Sequence, residues 1–285
     1  MTFIEVVILA VIQGLAELLP VSSSAHVIVA EKLMGLDPTT PRMVLFLLSL
    51  HTGTMFAVIV YFWQAWKKTF FASKQQFLSI ALLLIVATAC TGVVGLALQS
   101  VIKHVLLKDH PGADVEDLFG NLLLISIALF AAGVLILIAG LQKRKTPTQR
   151  PLGMKEAGII GVVQGLTLPF RGFSRSGSTI SAGMLLGCVK ARVEEFSFAL
   201  AVILTPIVFA KEGARWWKLR HTVNAEPVNG HALGMMALGL VLAFFAGLVA
   251  LKWLSRWLET GKWWLFGAYC LIASGVIFAM HLHGV

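Results

Sequence analysis

Charged side chains are scarce in this sequence: 13% of its 285 residues are Asp, Glu, Lys or Arg, 58% are hydrophobic, and the mean hydropathy is +0.85. A soluble chain of this length has to present a far more polar surface to water, so a soluble globular protein is excluded. Cysteine is scarce too. Cys90, Cys188 and Cys270 lie inside apolar segments without metal-ligand spacing, which excludes a thiolate metal site and leaves them as packing residues. The N-terminus lacks a basic n-region, and Glu5, Gln13 and Glu17 interrupt it, so it is expected to stay in the mature protein rather than leave as a signal peptide. A continuous basic face is also missing. The net charge of +9 comes from Lys and Arg in short loops between apolar runs, a membrane-orientation pattern that gives no reason to expect a nucleic-acid partner.

What the sequence has in abundance is apolar runs long enough to cross a bilayer as helices, about 20 residues each. They cover roughly 43–63, 76–101, 119–141, 193–210, 231–251 and 263–283, the fourth being marginal. Trp63, Trp66, Trp216, Trp217, Trp253, Trp257, Trp263 and Trp264 flank these runs and read as an interfacial aromatic belt.

Two regions, 3–35 and 156–189, are split by the polar stretches Leu19–His26 and Phe170–Gly177. The flanking pieces are too short to cross alone, so each region predicts a re-entrant helical hairpin. Val11-Ile12-Gln13-Gly14-Leu15 is echoed by Val162-Val163-Gln164-Gly165-Leu166, and each hairpin precedes three full spans. The expected fold is an all-α polytopic membrane protein of two inverted-topology repeats, 1–142 and 152–285, joined by a cytoplasmic linker at 143–151. Thirteen loop Lys and Arg residues fall on one side of this topology and eight on the other. The richer side is expected to be cytoplasmic, with both termini outside.

Inverted repeats with paired broken helices put a site near the midplane. Gln13 and Glu17, four apart, share a helix face, and a carboxylate at membrane depth has to be paired, protonated or metal-bound. Ser22, Ser23 and Ser24 open the second half-helix; one serine suffices as an N-cap, leaving the others for another role. Ser23 and His26, within one turn, suit a nucleophile and its base, or joint binding of a phosphate. In the second break, Ser174, Arg175 and Ser176 stand at a helix start, where free amides and a guanidinium fork favour an anion. The alternative for Arg175 is a salt bridge to Glu17. Arg171 either snorkels toward water or assists the anion. His51, Thr52 and Thr54 interrupt a span and line the cavity or bond neighbouring helices equally well; Glu194 and Glu195 suit a helix start.

At these residues the chain resembles the undecaprenyl-diphosphate phosphatase family, also called bacitracin-resistance proteins. Gln13-Gly14-Leu15-Ala16-Glu17 followed by Leu19-Pro20-Val21-Ser22-Ser23-Ser24-Ala25-His26 is similar to the family's first motif, and Gly172 to Ser181 to its second. The likeness runs over nearly the whole chain. Gln13, Ala25 and Arg171 are departures, standing at positions of Glu or Gln, Gly and Pro. The resemblance implies hydrolysis of a polyprenyl diphosphate in the bacterial inner membrane, serving cell-wall synthesis and bacitracin resistance, with a site opening to the periplasm. It implies a divalent cation, Mg²⁺ or Ca²⁺, at Glu17 and Gln13, and catalysis by Glu17, Ser23, His26 and Arg175. Ser23 is the first choice of nucleophile, with His26 attacking as the swapped assignment. Ser22, Ser24, Arg171, Ser174, Ser176 and Thr179 are then expected to bind substrate. The prenyl tail lies among membrane lipid, and a homodimer is compatible with the sequence. The rival reading is an inverted-repeat transporter or lipid flippase for an anionic substrate.

Overall fold

The computed structural model describes residues 1–37, 40–106, 120–142, 150–222 and 229–284. Residues 143–149 of the expected linker lie outside them. Among the described residues ten α-helices follow one another, and one isolated bridge joins Arg150 to Cys188. Two short helices, α1 (Phe3–Leu18) and α2 (Ser23–Leu33), precede three longer ones, α3 (Pro41–Thr69), α4 (Lys74–Val101) and α5 (Leu122–Leu141). The order then recurs, with α6 (Met154–Thr167) and α7 (Arg175–Leu185) short, followed by α8 (Lys190–Thr222), α9 (Gly230–Glu259) and α10 (Trp264–Leu282). Among the described residues five helices are long and apolar enough to cross a membrane, spanning Arg42–Thr69, Lys74–Val105, Leu122–Leu141, Gly230–Glu259 and Trp264–Leu282. They account for five of the six expected spans. The marginal run 193–210 falls inside α8, which contains Pro206.

Local chemistry sets the helix ends. A capping box of Thr2 and Glu5 starts α1, Thr40 and Ser73 cap α3 and α4, and the Asn121 side chain takes two amides of α5. Pro20 ends α1, because the residue before a proline is pushed out of the helical region; Leu19 is extended at φ −65°, ψ 122°. Ser22 then turns the chain at φ +68°. In the second break Gly172 does so at φ +98°, where a side chain would be strained. At about 1.5 Å per residue, α1, α2, α6 and α7 are each shorter than the roughly 30 Å hydrocarbon core. Each pair folds side by side into a hairpin.

The halves exchange partners: α1 packs on α9, α6 on α4, and α5 on α10. Both first half-helices meet their neighbours at a glycine. A Cβ on Gly14 would sit 2.7 Å from the Ala243 carbonyl oxygen, and one on Gly165 would sit 2.8 Å from the Thr91 carbonyl oxygen. The belt reading needs correction at two tryptophans. Trp66 and Trp263 are buried and bond to the Glu195 carbonyl and the Ser181 hydroxyl, because α3 runs on to Thr69 and Trp263 sits at the turn into α10. Trp63, Trp217, Trp253 and Trp264 are exposed. Cys188 and Cys270 are buried among apolar neighbours.

Candidate active site

The proline break at 19–22 folds α2 back so that Ser23 faces the last turn of α1. The Ser23 hydroxyl donates to Glu17 Oε2 at 2.5 Å. Gln13, one turn earlier, donates its Nε2 to the same oxygen at 3.1 Å and stands 2.9 Å from His51 Nδ1 on α3. With Gln13 as donor, His51 accepts on Nδ1 and carries its proton on Nε2; that Nδ1 is 3.6 Å from Glu17. The other carboxylate oxygen, Oε1, pairs with Arg175 Nη2 at 3.4 Å. The ion pair weighed as the alternative for Arg175 is therefore formed, yet Nη1 of the same guanidinium is buried without a hydrogen bond among the described residues. One nitrogen holds Glu17 and the other remains for an oxygen ligand.

The tips of the two breaks touch. Gly172 N–H donates to Ser24 Oγ at 3.2 Å, and Ser24 Oγ is 3.3 Å from Ser22 Oγ. Ser22 makes no capping bond to α2, contrary to the expected cap, because its positive φ turns the side chain toward Ser24. The first amides of α2 thus keep their anion-binding potential free of a side-chain cap. At α7 the cap is present: Gly177 N–H donates to Ser174 Oγ at 3.2 Å.

Not every expected site residue bonds directly to this cluster. His26 donates from Nδ1 to the Ser22 carbonyl at 2.8 Å and directs Nε2 to the Tyr269 hydroxyl at 2.7 Å. It makes no hydrogen bond to Ser23 among the described residues; Ser23 has Glu17 as its proton acceptor instead. Thr179 is fully buried, with its hydroxyl on the Arg175 carbonyl at 2.8 Å and on Ser197 at 2.6 Å, so it braces Arg175 from below. Ser174 is engaged as the cap, and Ser176 is buried beside it. Arg171 is exposed at the rim, and its charge acts on Glu31, whose buried oxygens have no hydrogen bond. Glu194 and Glu195 belong elsewhere, bonded to Ser255 and to Arg192 and Thr69.

Residue order leaves His51 open between lining the cavity and bonding a neighbouring helix, and it does not mark Tyr269. A histidine inside an apolar span is a signal for His51; nothing in sequence order connects Tyr269 to His26.

No group of three or more His, Cys, Asp and Glu side chains among the described residues is placed to hold a metal ion. The donors fit a different kind of site. Mg²⁺ commonly binds through one or two carboxylates together with substrate phosphates and water. Glu17 supplies such a carboxylate, and Gln13 joins it only with its amide turned over to present oxygen.

The profile of the family described as "Bacitracin resistance protein BacA" matches residues 6–276. An undecaprenyl-diphosphatase 2 of Acinetobacter baylyi is 55% identical, covering 98% of both chains. An undecaprenyl-diphosphatase 2 of Burkholderia orbicola is 35% identical over 94% of this chain and 93% of its own. An undecaprenyl-diphosphatase of Parabacteroides distasonis is 32% identical over 99% of each. With both broken segments and all the intervening helices inside the matched region, the chain belongs to the bacitracin resistance protein BacA family.

Proposed function

We propose that this protein hydrolyses undecaprenyl diphosphate, or a related polyprenyl diphosphate, to the monophosphate and inorganic phosphate, returning the carrier lipid to cell-wall synthesis and conferring bacitracin resistance. The observation that carries the reading is the convergence of Glu17, Ser23 and Arg175 from opposite halves of the chain, with a serine hydroxyl 2.5 Å from a carboxylate. A carrier has no use for a hydroxyl with its own base, which sets the transporter reading aside.

Arg175 Nη1 and the first amides of α2 take oxygens of the terminal phosphate. Glu17 accepts the Ser23 proton as Oγ bonds to the terminal phosphorus. The bond from that phosphorus to the bridging oxygen breaks, and its electron pair leaves with the prenyl monophosphate. Water then attacks the seryl phosphate, His26 takes the water proton, and Glu17 returns its proton to Ser23 as phosphate departs. Glu17, and Gln13 once its amide is turned over, would hold a divalent cation, Mg²⁺ or Ca²⁺, which would supply further neutralisation of the phosphate charge. Phosphoryl transfer depends chiefly on position and charge stabilisation, so Arg175→Ala is expected to lower turnover about 10²–10³-fold. Phosphate release by purified protein from a polyprenyl diphosphate, with and without EDTA, is the test. No release, or normal turnover by Arg175→Ala, rejects the assignment.

The two halves enter the membrane in opposite directions, with both termini periplasmic and the site opening to that side. Support comes from loops assigned to the cytoplasmic side meeting at one end of the bundle. Arg150 N–H reaches the Gly187 carbonyl at 3.3 Å, Lys190 reaches the Leu258 carbonyl at 3.3 Å, and Thr69 reaches Glu195 at 2.9 Å. In a cysteine-free background, His283→Cys is expected to react with an impermeant thiol reagent in cells with a permeabilised outer membrane, and Lys262→Cys to be protected. The reverse pattern rejects this orientation.

A further inference from the structure

His26 is held from both sides of its ring. Its Nδ1 lies 2.8 Å from the Ser22 carbonyl oxygen. A carbonyl oxygen only accepts, so Nδ1 carries a proton, and in the neutral imidazole Nε2 keeps its lone pair. The Tyr269 hydroxyl, 2.7 Å from that Nε2, is then the donor. The same phenol stacks against the imidazole, with ring centroids 5.6 Å apart and planes 14° from parallel. One side chain thereby fixes the ring plane and engages its proton-accepting atom.

The setting of Tyr269 makes this placement informative. Tyr269 is 46% exposed on α10, on a helix whose neighbouring outward residues are Ile272 at 71% and Val276 at 56%. A phenol hydroxyl on such an apolar face needs a polar partner, and it finds one in a helix 243 positions away in sequence. Ser22 contributes its carbonyl from a backbone turn at φ +68°, so the break in the first half and a helix of the second half jointly orient His26.

We propose that Tyr269 is a positioning residue for His26, its hydroxyl and ring together with the Ser22 carbonyl holding the imidazole as the Nδ1–H tautomer, with Nε2 presented as a proton acceptor. A water arriving at His26 displaces the phenol from Nε2 or reaches Nε2 through it. Either way it meets a ring already in the required tautomer and plane. The effect on turnover rests on the phosphatase reading; the effect on the imidazole does not.

Tyr269→Phe keeps the stack and removes the hydroxyl, and Tyr269→Leu removes both. With a polyprenyl diphosphate in detergent micelles, Tyr269→Phe is expected to lower kcat roughly tenfold while KM stays within about twofold, and Tyr269→Leu to lower kcat further. In protein with ¹⁵N-labelled histidine rings, assigned by comparison with His26→Gln, the wild-type Nε2 resonance is expected to be that of an unprotonated, hydrogen-bonded nitrogen. In Tyr269→Phe it shifts to that of an unprotonated nitrogen without a donor. An unchanged Nε2 resonance overturns the proposal, as does a Tyr269→Phe kcat within twofold of an active wild type. If the wild type releases no phosphate, the phosphatase reading falls, and the nitrogen spectrum still decides the positioning of His26.

Discussion

The two broken segments, 3–33 and 154–185, begin with the same words and end with different chemistry. Gln13-Gly14-Leu15 and Gln164-Gly165-Leu166 occupy corresponding places, and both glycines sit where a half-helix crosses a long one, α9 for Gly14 and α4 for Gly165. The glutamines diverge. Gln13 bonds Glu17 and approaches His51 in the active-site cluster, whereas Gln164 is buried, donates to Thr91 at 3.2 Å and leaves its own oxygen without a partner. At the breaks, Ser22 leaves the α2 amides without a side-chain cap while Ser174 caps α7. The first segment supplies the acid and the hydroxyl; the second supplies the guanidinium. Backbone approach leaves no room for a side chain at either crossing, whereas the polar side chains of the two segments differ in what they bond.

The sharpest way to break this division of labour is Glu17→Gln. It removes the proton acceptor of Ser23 and leaves Arg175 without its carboxylate, and phosphate release is expected to fall about 10³-fold or more. Losing one partner of a buried pair also costs on the order of 3–5 kcal/mol, reduced here because Glu17 and Arg175 retain about a fifth of their exposure, so the melting temperature should drop as well. Equal turnover in wild type and Glu17→Gln would end the assignment of the first segment as the acid-bearing half.

A matched pair of substitutions tests the divergence of the glutamines. Gln13→Leu is expected to lower turnover roughly tenfold, as loss of the hydrogen bond that positions Glu17. Gln164→Leu should leave turnover unchanged and move the melting temperature only a few degrees, since it removes an unpartnered oxygen along with one hydrogen bond. Similar activity loss in both would show that the second segment shares the chemistry. The smallest effect on activity is expected at the glycines. Gly14→Ala and Gly165→Ala each force a helix pair apart and should cost about 1–3 kcal/mol, read as similar shifts in thermal unfolding. A large shift in one alone would mean that the crossings are not equivalent.

Much of this arrangement is legible in the residue order, for identifiable reasons. Polar residues around Pro20 and Gly172 split apolar stretches into pieces too short to cross alone, so both breaks show in the residue order, and the spacing of Gln13 and Glu17 fixes a shared face before any fold is known. The pairing of Ser23 was not legible. It stands three positions before His26 on one helix, a spacing that suggests a couple, but the chain reversal at 19–22 brings Ser23 to Glu17 instead. Trp66 and Trp263 were misread because an apolar run ending near residue 63 hides the extra turns of α3, and because a tryptophan at a helix end looks the same whether it faces headgroups or a neighbouring helix. Tyr269 and His51 depend on contacts across the bundle, and local periodicity carries no information about which distant helix a side chain will meet.

The ion pair between Glu17 and Arg175 has a consequence for biosynthesis. Ribosomes deliver the carboxylate 158 positions ahead of its guanidinium, so a nascent chain carries the acid into the translocation machinery long before the cation exists. Its early companions, Gln13, Ser23 and His51, all emerge within the first 51 residues. A chain arrested before α7 holds Glu17 and Ser23 without the guanidinium that completes their cluster.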